Sequence, residues 1–261
     1  MPRSNLLQAV EHLALAAAQE VMAVYAAPFA VSAKADDSPV TEADQRAEAV
    51  ILRGLAGLEP GVPVVAEEAV AAGQGPVRID GDTFWLVDPL DGTREFIARN
   101  GEFTVNIALI QQGRPVLGVV LAPALDGPQG WLYAGAEGLG AWQVRAGQRQ
   151  AIACRAVPPQ GLTVVASRSH GDQAALQAYL AGRHVAALHS VGSSLKLCTI
   201  ASGQADLYPR LGRTMEWDIA AGHAVLAAAG GRVTRLDNGQ PLSYGKPGFE
   251  NPHFVAAGLA A

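Results

Sequence analysis

The sequence predicts a mixed chain, α+β in its first part and α/β in its second, and three observations carry that reading. Residues 5–26 and about 41–58 space their apolar side chains as helices do. A series of short apolar runs separated by Gly- and Pro-bearing turns fills the middle, as in an antiparallel meander. After about Pro159, strand-like and helix-like stretches alternate. The 261 residues can bury a sizeable core, and 49% hydrophobic against 16% charged residues places the chain with folded proteins rather than disordered ones.

In order along the chain, "VSAKADDSPVT" reads as a polar loop after the first helix. The second helix opens on "TEAD", where Thr41 can cap the N-terminus and Asp44, three residues on, can complete a capping box. "VPVVAEE" and "TFWLVD" are short strands ending on acids; "FTVNIALI", "PVLGVVLAP", "GWLYAG" and "GAWQVRAG" form the meander. Then come strand "LTVVAS", helix "DQAALQAYLAG", strand "HVAALHSV", helix "SSLKLCTIASG", strand "ADLYP", helix "EWDIAAGHAVLAAAGG", and closing strands "RVTRL" and "HFVAAG". The expected division is an N-terminal α+β half, residues 1–157, and a C-terminal α/β half, residues 158–261, meeting at "RAVPPQG" (155–161).

Charge and cysteine content exclude some functions. A net charge of −5 argues against a sequence-blind nucleic-acid binder, while leaving room for a local basic pocket. Cys154 and Cys198 lack metal-like spacing and read as reduced thiols of a cytoplasmic protein. The first 25 residues lack a signal peptide's layout, and Glu11, His12, Gln19 and Glu20 interrupt the apolar positions, so an amphipathic helix is expected rather than a membrane span.

The chemistry is expected at the acids. Glu67, Asp88 and Asp91 each follow an apolar strand, and Asp218 opens the last long helix. Four carboxylates cannot converge unless something neutralises them. A hard divalent cation such as Mg²⁺, which takes oxygen ligands, does so. In "DPLDGT" (88–93), Pro89 restricts Asp88 to extended backbone, the Leu90 carbonyl offers another hard oxygen, Gly92 allows close approach, and Thr93 starts a short helix whose amides can hold a phosphate oxygen. Taken singly, each acid has an ordinary explanation: turn chemistry for Asp88 and Asp91, capping for Asp44, a solvated surface for one of the paired glutamates, a helix N-terminus for Asp218. His12, His189 and His223 have no partners at metal spacing and read as packing or surface residues.

Three motifs in order, Glu67-Glu68 after a strand, "DPLDGT" and "WDIAAG" (217–222), resemble the signatures of the Mg²⁺-dependent, lithium-sensitive inositol monophosphatase-like phosphatases. The resemblance runs essentially end to end and implies a layered αβαβα sandwich. Within the group, "KADDSPVTEAD", "WLVDPLDGTREFIARNGEFTVNIALI", "SRSH", "GSSLKLC" and "LYPR" are most similar to the bacterial 3′(2′),5′-bisphosphate nucleotidase branch.

The resemblance implies roughly two or three Mg²⁺ ions per site. Glu67, Asp88 and the Leu90 carbonyl would bind one; Asp88, Asp91 and Asp218 a second; Glu67 would reach a third through water. Thr93 and Asp44 would orient and deprotonate the attacking water, with Glu67 in the same catalytic set. Gly92 and Thr93 would bind the scissile phosphate, and His170, Ser193, Lys196 and Arg210, with Asp218, would contact the nucleotide. Ala66 where Ser is common, Arg94 for Lys, Arg213 and Ile219 depart from the usual pattern without removing a ligand.

The expected reaction is hydrolysis of adenosine 3′,5′-bisphosphate to AMP and phosphate in sulfate assimilation, with 3′-phosphoadenylyl sulfate as a second substrate. Lys196 and Arg210, with Arg213 near them, would pair with the 5′-phosphate. An inositol- or sugar-phosphate phosphatase with the same metals remains the alternative, and a non-catalytic nucleotide sensor a remote one. The resemblance also implies lithium inhibition. It leaves open a homodimer and weak peripheral association at the inner membrane.

Overall fold

A computed structural model describes residues 1–34, 38–76, 79, 81–127, 130–168 and 172–259. The first helix, α1 (Arg3–Tyr25), is followed by a small antiparallel hairpin, β1 (Val31–Ala33) and β2 (Pro39–Thr41), and by α2 (Glu42–Leu58), which packs against α1. Next come β3 (Val64–Ala66), α3 (Glu67–Ala71), β4 (Thr83–Asp91) and α4 (Thr93–Ile97). The meander is β5 (Thr104–Gln111), β6 (Arg114–Ala122), β7 (Trp131–Ala136), β8 (Gly140–Arg145) and β9 (Gln148–Ile152). β3 to β9 form a seven-stranded sheet in sequence order, antiparallel except for the parallel β3–β4 pair.

The remaining elements are β10 (Leu162–Ser167), α5 (Gln173–Leu180), β11 (Val185–Val191), α6 (Leu195–Ala201), β12 (Leu207–Arg210), α7 (Glu216–Ala228), β13 (Arg232–Arg235) and β14 (Phe254–Ala257). Their five strands form a second, mixed sheet in the order β11-β10-β12-β14-β13. β10 lies parallel to both neighbours, and β14 is antiparallel to its own.

Alternation along the central strands builds two cores. Trp85, Val87, Val105 and Ile107 turn toward Leu7, Val10 and Ala14 of α1 and Ile51 and Leu55 of α2. Phe84, Leu86, Ala108 and Ile110 turn the other way, onto Leu197 and Ile200 of α6 and Ile219 and Val225 of α7, with Tyr208 and Phe254 of the second sheet beyond. Helices cover both faces, which is why β4 and β5 read as near-continuous apolar runs. With Leu176 and Leu180 of α5 bordering a cavity of about 290 Å³ against Leu188 and Pro209, the layers run helices, sheet, helices, sheet, helix.

Three local features differ from the sequence expectation. Part of "VSAKADDSPVT" is the β1–β2 hairpin rather than loop alone. β9 was not anticipated: Ala146 and Gly147, both at positive φ, make a two-residue turn that folds Gln148–Ile152 back on β8. β4 does not stop at Asp88 but continues to Asp91.

The approach of α7 to the large sheet depends on Gly118. A Cβ there would collide with the Ala221 carbonyl oxygen and lie 2.7 Å from Ala224 Cβ. Gly118→Val is expected to destabilise the fold by about 3 kcal/mol through overpacking, read as a lower Tm in thermal unfolding. An unchanged Tm would show that α7 can move away without cost.

Candidate active site

The continuation of β4 answers why two acids stand three residues apart. In a regular strand, residues i and i+3 point to opposite faces. Here Asp88 pairs with Asn106 and Asp91 with Thr104, so Pro89 and Leu90 lie opposite the single residue Val105. This β-bulge adds one residue and brings both carboxylates to one face. Pro89, which lacks an N–H, is tolerated at such an irregularity. Gly92 then takes φ +90°, with its would-be Cβ 3.2 Å from the Glu102 carbonyl oxygen, and α4 begins at Thr93.

Other elements bring their acids to the same place. Glu67 opens α3 directly after β3, and Asp218 lies in the first turn of α7, where it accepts the Met215 N–H at 2.8 Å. Asp88 accepts the Leu90 N–H at 3.0 Å, and Asp91 accepts the N–H of Ser194. Glu67, Asp88, Leu90, Asp91, Gly92, Thr93, Ser193, Lys196, Arg210 and Asp218 all line one cavity of about 560 Å³ between the two sheets. That volume suits a small molecule.

Asp44 is buried behind this wall and reaches it through Thr93, whose Oγ1 lies 3.4 Å from Asp44 Oδ1 and 3.3 Å from the Leu90 carbonyl oxygen. The expected capping box is present: Asp44 Oδ2 accepts the Thr41 N–H and its hydroxyl, each at 2.8 Å. Burial raises the Asp44 pKa, and those two hydrogen bonds oppose the rise. Capping and a proton-accepting position therefore coexist in one carboxylate.

Burial also pushes Asp88 well above the carboxylate range, with the charges of Glu67, Asp91 and Asp218 adding to it. Asp91 rises to about 6 through burial, opposed by Lys196 and reinforced by Glu67 and Glu95. Asp218 rises to about 8 through burial, then the charges of Asp91 and Glu67. This all-oxygen set, destabilised by its own charge, fits a hard divalent cation in donor type. Among the described residues, however, no three acidic, His or Cys side chains stand ready as ligands. Asp88, Asp91 and Asp218 are held by backbone N–H groups, and Glu67 Oε1 accepts from Lys34 Nζ at 2.7 Å.

Through these raised values the clustered acids bind more protons in the folded, metal-free chain than in the unfolded chain between about pH 4 and pH 8, more than offsetting the one proton that buried His223 forgoes below its usual pKa. The chain's stability must therefore fall as pH rises through that window. The Tm in chelator is expected to drop from pH 5 to pH 8, and added Mg²⁺ to restore more of it at pH 8 than at pH 5. A Tm in chelator that climbs over this range would contradict the buried like-charge set.

Lys196 and Arg210 are both buried beside the cavity. Lys196 donates to the Val191 carbonyl at 3.2 Å and to that of Ser193, and lies 5.4 Å from the centre of the Tyr208 ring. Burial lowers its pKa to about 8 against the pull of Asp91, and the Arg210 charge lowers it further. Arg210 donates to the carbonyls of Gly212 (3.1 Å) and Arg213. Arg213 also borders the cavity but is exposed, 3.3 Å from Glu250, so the buried cationic pair excludes it. His170 lies outside the described residues. His223 is buried, bonded through Nδ1 to the Tyr244 hydroxyl at 2.8 Å and pushed by burial to a pKa of about 3. It is a neutral packing residue.

Several contributors escaped the sequence reading. Lys34 was quoted without a role. Glu48 accepts the Glu68 N–H at 2.8 Å, serving the α3 N-terminus where Ala66 offers no capping oxygen. Glu102 accepts the Gly192 N–H at 2.7 Å and pairs with Arg168, bracing the turn that holds Ser193 at φ +45° with its buried Oγ unpartnered among the described residues. Ser194 Oγ lies 3.1 Å from Thr104 Oγ1 and donates to Asn106 Oδ1 at 2.6 Å. Only the "GSS" flanking Lys196 hinted at this turn.

Comparison with known proteins agrees with the geometry. The model of the inositol monophosphatase family matches residues 3–260. The 3′(2′),5′-bisphosphate nucleotidase CysQ of Escherichia coli K12 is 50% identical over 254 residues, spanning 95% of this chain and 98% of that one. The protein of the same name from Buchnera aphidicola is 38% identical, over 98% and 94%. Among solved structures, CysQ from Bacteroides thetaiotaomicron superposes with a TM-score of 0.79 at 37% identity, covering 98% of both chains. An inositol monophosphatase from Anabaena gives 0.75 at 26%, covering 98% of this chain and 92% of the other. With a full-length family match, end-to-end relatives and the acids of all three motifs on one cavity, the chain belongs to the inositol monophosphatase family.

Proposed function

We propose that this chain is a Mg²⁺-dependent 3′(2′),5′-bisphosphate nucleotidase that hydrolyses adenosine 3′,5′-bisphosphate to AMP and phosphate, with 3′-phosphoadenylyl sulfate as a second substrate. The observation that carries the substrate choice is the buried Lys196–Arg210 pair, on the same cavity as the acids. Asp91 is the nearest counter-charge to Lys196, and metals would draw on that carboxylate; a second phosphate on the substrate would give the cations an anion of their own. The identity of the CysQ relatives supports the same reading.

Glu67, Asp88, the Leu90 carbonyl, Asp91 and Asp218 would hold roughly two or three Mg²⁺ ions. When bound, the ions neutralise the phosphate, acidify water and stabilise the departing sugar oxygen. The protein's own residues do the positioning. Backbone amides at Gly92 and Thr93 hold the scissile phosphate, Thr93 Oγ1 orients the attacking water, and Asp44 takes up its proton through that hydroxyl. Ser193, with a hydroxyl unpartnered at the wall, and Lys196 and Arg210 hold the remote part of the nucleotide. Water would attack phosphorus in line with the 3′-oxygen, giving one proton to Asp44 through Thr93, and the departing 3′-oxygen would take its proton from a second water. No side chain becomes phosphorylated.

The test is phosphate release from adenosine 3′,5′-bisphosphate and from inositol 1-phosphate in parallel, with Mg²⁺ and with chelator. Strong Mg²⁺-dependent preference for the nucleotide is expected. Preference for inositol phosphate would keep the metal site and overturn the substrate; no release from either would overturn both. No helix among the described residues is long and apolar enough to cross a membrane.

A further inference from the structure

The acid cluster poses a problem that its metal solves only when the metal is present. Without a divalent cation, Glu67 faces the charges of Asp88, Asp91 and Asp218. A positive group is already in contact with it. Lys34, just past β1, places Nζ 2.7 Å from Glu67 Oε1 and 2.5 Å from Glu68 Oε1. The lysine side chain is only 10% exposed, so this pair is no solvated surface bridge. Its backbone is tied as well: the Lys34 N–H donates to the Ser38 carbonyl at 2.8 Å, across the hairpin.

Glu68 makes the arrangement reversible. Its N–H is fixed by Glu48, and its side chain can keep the ammonium after Glu67 has turned away. A Glu67 oxygen that accepts from an ammonium cannot offer the same lone pair to a cation. We propose that Lys34 is a tethered competitor for the divalent cation: it holds Glu67 in the metal-free chain, yields that carboxylate to the metal while Glu68 keeps the ammonium, and so sets metal affinity. This rests on the metal-site reading above; Lys34 lines the same cavity, and the role assigned to it is that of a positioning residue acting through Glu67.

Three variants give the proposal signs. Lys34→Met removes the competitor and is expected to tighten Mg²⁺ and Mn²⁺ binding about tenfold, the scale of one partly buried charged hydrogen bond. Glu68→Gln removes the alternative seat, leaves the ammonium on Glu67 alone, and is expected to weaken binding about threefold. The double variant should follow Lys34→Met, because Glu68 acts only through the lysine.

The readout is calorimetric titration of Mg²⁺ or Mn²⁺ into the chelator-treated full chain without substrate, with Tm in chelator alongside. Lys34→Met should lower that Tm while tightening the metal. Unchanged or weaker binding in Lys34→Met overturns the proposal, as does a higher KM for nucleotide with unaltered metal affinity, which would place Lys34 on the phosphate. If Lys34→Met fails to fold, Glu68→Gln still decides by its opposite sign. A wild-type chain that binds no divalent cation overturns the metal-site reading itself, a result distinct from equal binding in both chains.

Discussion

Asp218→Asn is expected to reduce phosphate release by roughly 10³-fold while making the metal-free protein more stable. The substitution keeps shape and an oxygen that can still accept the Met215 N–H, so the first turn of α7 should stay in place. What it removes is one negative charge from a buried set in which burial, Asp91 and Glu67 already push the Asp218 pKa up to about 8. In the metal-free chain at pH 8 that charge opposes folding. Its loss is expected to raise Tm in chelator by roughly 5 °C, corresponding to about 2 kcal/mol for a chain of this size. With Mg²⁺ present the order should reverse, because wild type gains a ligand that the variant lacks. Activity assays and Tm with and without Mg²⁺ test both halves. Lower activity with a lower Tm in chelator would mean that Asp218 serves the helix rather than the charge set.

Lys196→Met is expected to raise KM for adenosine 3′,5′-bisphosphate by about 30-fold, while inositol 1-phosphate hydrolysis changes by less than about threefold. Methionine follows the lysine stem and can keep the contact with Tyr208, so the loss is confined to the ammonium. That group already donates to two backbone carbonyls and has a third proton to offer. Removing it also takes a cation away from Asp91, so metal binding should not weaken. Steady-state kinetics with both substrates, at saturating and limiting Mg²⁺, distinguishes a phosphate contact from a structural one. Equal losses on both substrates would place Lys196 in the scaffold or at the metals.

The two predictions differ in how far the sequence foresaw their residues. Asp218, Asp88 and Asp91 were legible because each stands at a strand or helix boundary within a motif, and local patterning marks such boundaries. The Thr41–Asp44 capping box was legible for the same reason: its parts lie within four residues. The bulge at Pro89–Leu90 was not. Whether a strand ends or continues after an irregularity depends on its partner, and Val105, opposite the bulge, lies fifteen positions beyond Leu90. β9 was missed because its side chains are mostly exposed and carry no apolar alternation.

Charge pairs were the least legible. "KADDSPVTEAD" suggests a solvated loop, yet Lys34 is largely buried on two glutamates more than thirty residues distant. Likewise Glu102 and Gly192, which brace the Ser193 turn, are 90 residues apart. Side-chain partners at such separations follow from the packing of layers, which periodicity does not encode.

By itself the sequence determined most of the succession of helices and strands, the identity of the acids and the family they resemble, because these follow from hydrophobic spacing and short contiguous motifs. Only the tertiary structure decided that the bulge turns Asp88 and Asp91 to one face, that Lys196 and Arg210 form the buried cationic pair while Arg213 stays on the rim, and that Lys34 holds Glu67. Direction and pairing are set by which surfaces the layers bring together, and one added residue in a strand or one ion pair across the chain is enough to change them.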